Sequence, residues 1–312
     1  MFEKLPDLLD KNFAVGFLLP AAGWLFGILL TLADFNILHS QIQLTQLDTL
    51  SDTVLAIIVV WLAAIALLAL NRPLIRFMEG YGKYHPFAWR SLWKRRFHKQ
   101  AAPFLELQSQ IAQARLEGSP RPTTPADYGR RLVHAVEHFP DEERWVLPTR
   151  FGNTFRAIEV YSRVVYGLDS IPAWPRLEAI FPEQFSKLLA EAKAQMDFAV
   201  NVTYAGFFIA LLYCAFALVE LRFPNVWLPF LAAGCGVVGY SMSLSSLSQY
   251  GNYVKSAFDL YRGLLAEQLG YEMPRSAEAE REMWTALNNV MIFRSAAAQS
   301  RLVKFRKPRD QD

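Results

Sequence analysis

Four stretches of the chain carry apolar residues on every face of a helix rather than along one stripe. They run from Phe13 to Ala33, which holds no charged residue, from Val54 to Leu70, from Phe198 to Val219, and from about Val226 to Tyr240. A helix needs about 20 apolar residues to cross a hydrocarbon core about 30 Å thick, and soluble helices of that length keep a polar face. The pattern predicts four transmembrane helices. The second and fourth are short, and the fourth has Pro229 near its start. Pro20 lies inside the first, where a kink is tolerated if neighbours satisfy the freed carbonyl.

Between the second and third spans the periodicity becomes that of amphipathic helices. Leu105 to Leu116 has an apolar face, and a breaker cluster from Gly118 to Pro125 follows. A helix is expected from Asp127 to about Phe139, stopping before Pro140, and another from about Asn153 to Tyr166, with Gly167 as its C-cap. The connecting segments are dense in Pro, Gly and aromatic residues and read as structured turns. Pro182 is a favoured first-turn residue. From there to Val219 there is no further Pro and one Gly, Gly206, while Phe185, Leu188, Leu189, Ala192 and Met196 recur at helical spacing. The third span is then the far end of a helix of about 38 residues, roughly 57 Å long. Leu244, Leu247, Val254, Phe258 and Leu264 extend the fourth span in the same way, so the two form a long antiparallel hairpin. A last helix, about Ser276 to Val303, leads into a basic tail. The expected fold is mostly α, a four-pass transmembrane helical protein with a helical cytoplasmic domain. Residues 1–70 form an N-terminal transmembrane hairpin, 71–197 the cytoplasmic domain, 198–248 a second transmembrane hairpin, and 249–312 cytoplasmic C-terminal helices and the tail.

Charge sets the orientation. The net charge is only +3, yet Arg72, Arg76, Lys83, Arg90, Lys94, Arg95, Arg96 and Lys99 follow the second span with one acid, Glu79, among them. The loop from Asp34 to Thr53 has no Lys or Arg, and the loop from Glu220 to Asn225 has only Arg222. The positive-inside rule places the basic stretch, and with it the middle domain and both termini, in the cytoplasm. Met1 to Lys11 is mildly acidic, and the apolar run after it is too long for a signal h-region, so an uncleaved first span is expected. Cys214 and Cys235 fall in apolar runs and read as packing residues, not a disulfide. The basic tail reads as a solvated or headgroup-facing end, with no nucleic acid expected.

Gly234-Cys-Gly-Val-Val-Gly239 spells a dinucleotide fingerprint but lies inside an apolar span without a βαβ unit, so no cofactor is expected from it. Cys235, Gly239 and Ser243 lie four apart, as do Ala232 and Gly236, and Gly23 and Gly27; such small-residue faces allow close helix packing, within the chain or in a homo-oligomer. His134-Ala-Val-Glu137-His138 matches an inverted zinc-protease motif, placing His134 and His138 on one face as metal ligands with Glu159 as a possible third. Its alternative is a solvated helix end. Arg150, Arg156, Glu159, Arg163, Tyr166 and Asp169 form a candidate ligand-binding set, since arginine with aromatic residues holds phosphate groups, or else an ion-pair network around Glu159. Asp34, Asp197 and Glu220 sit at span ends, and the lack of ionisable groups within the spans counts against a secondary transporter. Asn201, Thr203 and Tyr204, near the inner end of the third span, are expected to hydrogen-bond between helices, the alternative being that they line a pore mouth.

Leu147-Pro-Thr-Arg-Phe-Gly-Asn153, Arg156-Ala-Ile-Glu159, Tyr166-Gly-Leu-Asp169 and Trp174-Pro-Arg-Leu177 together resemble a family of uncharacterised bacterial multi-pass membrane proteins. The resemblance implies a bacterial inner (cytoplasmic) membrane and no assigned activity. The sequence thus favours a non-enzymatic membrane effector or channel-like assembly with a cytoplasmic sensing domain. The alternatives are a membrane scaffold that docks a cytoplasmic protein partner and a membrane-bound zinc hydrolase.

Overall fold

The computed structural model describes residues 10–37, 50–81, 87–120 and 122–307. Residues 1–9, most of the first loop and residues 308–312, on which the expectations about the N-terminal leader, the loop charge and the basic tail partly fall, lie outside the described residues. Among the described residues there are no strands, and four helices are long and apolar enough to cross a membrane. In order the helices are α1 (Lys11–Asp34), α2 (Leu50–Glu79), α3 (Phe87–Gln100), α4 (Ala102–Glu117), α5 (Tyr128–His138), α6 (Arg150–Tyr166), α7 (Ser170–Glu178), α8 (Glu183–Glu220), α9 (Trp227–Gln268), α10 (Ala277–Phe293) and α11 (Ala296–Leu302). They divide into two compact units, Met1–Phe77 with Ala190–Tyr250, and Met78–Leu189 with Gly251–Asp312.

The first unit holds the apolar spans. Pro20 has no N–H to give the carbonyl of Gly16, one turn earlier. There α1 opens into a π-turn, Ala14–Leu18, and Asn201 Nδ2 on α8 donates to the Gly16 oxygen at 2.8 Å. The neighbouring span thus replaces the missing bond, as a proline in a membrane helix requires. Tyr204 reaches the Leu74 carbonyl of α2 at 2.8 Å, whereas Thr203 turns back to Ala199 of its own helix. Phe13 stacks on Trp61, and these two join Phe17, Ala21, Ala64 and Leu67 in one apolar cluster; Phe35, Tyr213 and Ala217 form another. At that second cluster the Asn225 N–H donates to the Tyr213 hydroxyl, and the Asn225 amide bonds the Asp34 carboxylate.

α8 and α9 meet through glycine. A Cβ on Gly206 would lie 2.6 Å from the Ala232 oxygen and 2.7 Å from Gly236 Cα, and one on Gly239 2.8 Å from the Thr203 nitrogen. Ala232, Gly236, Gly239 and the buried Ser243 form one face of α9 turned to α8 within the same chain. Gly27 of α1 abuts Ile209. Gly23 and Cys235 are exposed and line an open apolar cleft of about 550 Å³ with Trp24, Gly27 and Ile209.

The second unit is built on α6. Thr149 caps it, accepting from the Gly152 N–H at 2.9 Å while donating to the carbonyls of Met78 and Glu79 at 2.8 and 3.0 Å. Buried Asn153 closes the turn before the helix: Oδ1 accepts from Leu147 N at 2.8 Å, and Nδ2 donates to the oxygens of Leu147 and Thr149 at 2.8 and 2.7 Å. Gly167 ends α6 in the left-handed region, at φ +80°. Two elements differ from the sequence expectation. Residues 170–178 form a helix rather than a turn, because Asp169 caps it and Pro172 falls in its first turn, where no N–H is needed. The single C-terminal helix is two: Arg294 adopts φ +52°, and Ser295 starts α11 by accepting from Ala298 N at 3.2 Å.

Candidate functional site

The six residues singled out on and around α6 enter several distinct contacts. Arg156 pairs with Glu159 at 3.0 Å and lies over the Tyr81 ring, 5.7 Å from its centroid. Arg163 stacks on Trp145 and stands 3.9 Å from Asp169. Asp169 is occupied structurally, capping α7, and its N–H donates to Asn288 Oδ1 at 3.0 Å. Arg150 is exposed in the first turn of α6. The segment from Leu147 to Leu177 therefore supplies mainly caps, close approaches and turn closures.

Tyr166 belongs to a different constellation. Its hydroxyl donates to Asp259 Oδ1 at 2.7 Å, and Tyr161, five residues before it on the same helix, donates to the same carboxylate at 2.9 Å. Arg262 lies over the Tyr166 ring at 4.0 Å and gives Nε to Glu280 Oε1 at 2.8 Å, an oxygen that also receives the Trp284 indole at 3.2 Å. One polar line thus fastens α6 to α9 and α10. Burial first, and the Asp259 carboxylate second, raise both tyrosine hydroxyls above the ordinary value of 10, so they remain protonated donors. Arg281 and Asn288 of α10 extend the junction by donating to the carbonyls of Val164 and Gly167.

Beside this line, half-buried Lys255 places its ammonium over the Tyr161 ring at 5.6 Å. Glu137, Asp141 and Asp259 are its electrostatic neighbours, and none of the described carboxylates stands within ion-pair distance of it. Lys255, Asp259 and Arg262 are spaced as one helical face, which the sequence does show. Their partners Tyr161 and Tyr166 lie 98 and 93 residues away from Asp259, which it does not.

His134 and His138 do share a face, with ring centroids 4.7 Å apart. His138 Nδ1 meets Thr154 Oγ1 at 3.3 Å, and Glu159 is engaged by Arg156. Among the described residues no three His, Cys, Asp or Glu side chains come together as a metal-holding group. Burial first, then the charges of His134, Arg150 and Lys255, lower His138 from 6.5 to about 4, so it is neutral at physiological pH.

A pH dependence follows. The folded state binds the His138 proton less readily than the unfolded chain, so this contribution is intact above pH 6.5, is lost as pH falls from 6.5 to about 4, and is constant below. Burial raises Asp141 above 3.8, which acts in the opposite direction near the acid end. A comparison with His138→Gln cancels that term. The wild type is expected to lose stability relative to the variant across this window in urea titrations; parallel profiles would contradict the burial of a neutral imidazole.

Comparison with protein-family models, curated proteins and solved structures finds no match to this chain.

Proposed function

We propose that the chain is a non-enzymatic membrane effector or channel-like assembly of a bacterial inner membrane, whose polar helical unit faces the cytoplasm and senses a ligand or protein partner. One observation carries this reading. α9 is a single unbroken helix of 42 residues that bears the small-residue face packed on α8 at one end and Lys255, Asp259 and Arg262 at the other. The helix belongs to both units, its residues up to Tyr250 to the first and those from Gly251 to the second, so the Tyr161–Asp259–Tyr166 latch and the packed spans share one element of the chain. The excess of Lys and Arg after α2, against none in the loop before it, supports the cytoplasmic side for the polar unit.

The first test is the particle mass of the full chain in nanodiscs, with co-purifying proteins identified on the same sample. The reading expects a homo-oligomer. A monomer bound stoichiometrically to another protein would replace it with a docking scaffold, and tightly bound zinc lost on His134→Ala would favour the hydrolase.

A further inference from the structure

We infer that α3, Phe87–Gln100, is a membrane-docking helix that binds anionic lipid headgroups beside the second span. Its inner face is accounted for: Trp93 and Phe97 join Ala101, Ala135, Phe139 and Val146 in an apolar cluster of the second unit, and Lys94 and His98 pair with Glu143 at 3.1 and 3.2 Å. The opposite face carries Trp89 and Leu92, 52 and 47% exposed, followed by Arg95, Arg96 and Lys99. The latter three have no carboxylate within ion-pair distance among the described residues; Arg96 lies over the Trp93 ring at 4.7 Å. Two large apolar side chains with three unneutralised cations along one helical face suit an interface of acyl chain and phosphate.

The position of α3 within its unit supplies the occupant. The apolar stretch of α2 gives way to Arg72 and Arg76 before the helix ends at Glu79, the order expected where a span passes from hydrocarbon to headgroups. Thr149 is bonded to the carbonyls of Met78 and Glu79 there. Three residues earlier, the Val146 carbonyl accepts from Arg90 Nε of α3 at 3.3 Å. Three residues of chain span at most about 11 Å, so the start of α3 is held close to the end of the span. A nucleic acid would demand the same cations but not the exposed Trp89 and Leu92, which suit acyl chains.

The test uses the full chain in nanodiscs, with a fluorophore on Gln100→Cys in a Cys214→Ser/Cys235→Ser background. Discs of phosphatidylcholine alone are compared with discs containing about one third phosphatidylglycerol, each with shallow spin-labelled lipid. Quenching is expected to rise at least about twofold in the anionic discs. It should fall back in Arg95→Gln/Arg96→Gln/Lys99→Gln, and in roughly 0.5 M NaCl, where screening shortens to about 4 Å. Hydrogen exchange of the unlabelled wild-type chain over residues 87–100 should slow in the same discs. Equal quenching and exchange in both lipids, or a gain that survives the triple substitution, would overturn the proposal. So would strong quenching by phosphatidylcholine alone, which would make the contact purely apolar.

Discussion

Gly206→Leu is expected to separate α8 from α9 and abolish the native assembly of the spans. Already a Cβ at this position would stand 2.6 Å from the Ala232 carbonyl oxygen and 2.7 Å from Gly236 Cα, both backbone atoms that have no rotamer to escape into. A leucine adds three more carbons to that gap. Overpacking of a close interface costs about 1–3 kcal/mol when side chains can yield, and more when backbones must part. In hydrocarbon the loss is not offset by water, because helix association there rests on dispersion contacts and on a few hydrogen bonds. Thermal unfolding in detergent should shift sharply downward. Gly23→Leu is the control: a Cβ there meets nothing within 4 Å, and it should leave the melting temperature near that of the wild type.

The second large effect is expected at Gly152. A Cβ there would overlap the Glu79 carbonyl oxygen and lie 2.8 Å from its carbon and 2.9 Å from Thr149 Oγ1. Gly152→Ala must therefore push α6 away from the end of α2 and break the Thr149 bonds to Met78 and Glu79. Stranding buried polar groups costs about 1–3 kcal/mol each, so a loss of about 3 kcal/mol or more is expected in the unfolding of the second unit. Tryptophan fluorescence during urea titration would register it. A variant as stable as the wild type would mean that α6 does not approach α2 as described.

These two glycines mark what the sequence could and could not reveal. Gly206 stood out as the one glycine in a long helical run, and the spacing of Cys235, Gly239 and Ser243, and of Ala232 and Gly236, suggested packing faces, although Cys235 is exposed. The pairing of the two faces needed coordinates. Pro182 and the unbroken periodicity after it located the start of α8 within a residue. Pro20 announced a freed carbonyl, and only the structure shows Asn201 answering it. α7 stayed hidden because its two prolines resemble turn chemistry, and Asp169 overrides that signal as a cap. The break at Arg294 carries no Gly or Pro to advertise it. The latch was the least legible part. Tyr166 was singled out for its arginine neighbours in the chain, whereas its partners Asp259 and Arg262 arrive from α9, far along the sequence.

The polar latch and the packed spans share one continuous helix, and the proposed effector function requires that the latch control the membrane. The most direct measurement is ionic current across planar bilayers containing the full chain, wild type beside Asp259→Asn, which weakens the acceptor for both tyrosines. Discrete current whose open fraction changes in Asp259→Asn is the predicted result. Bilayers that stay impermeable with the wild type and the variant alike, under every condition tried, would contradict it.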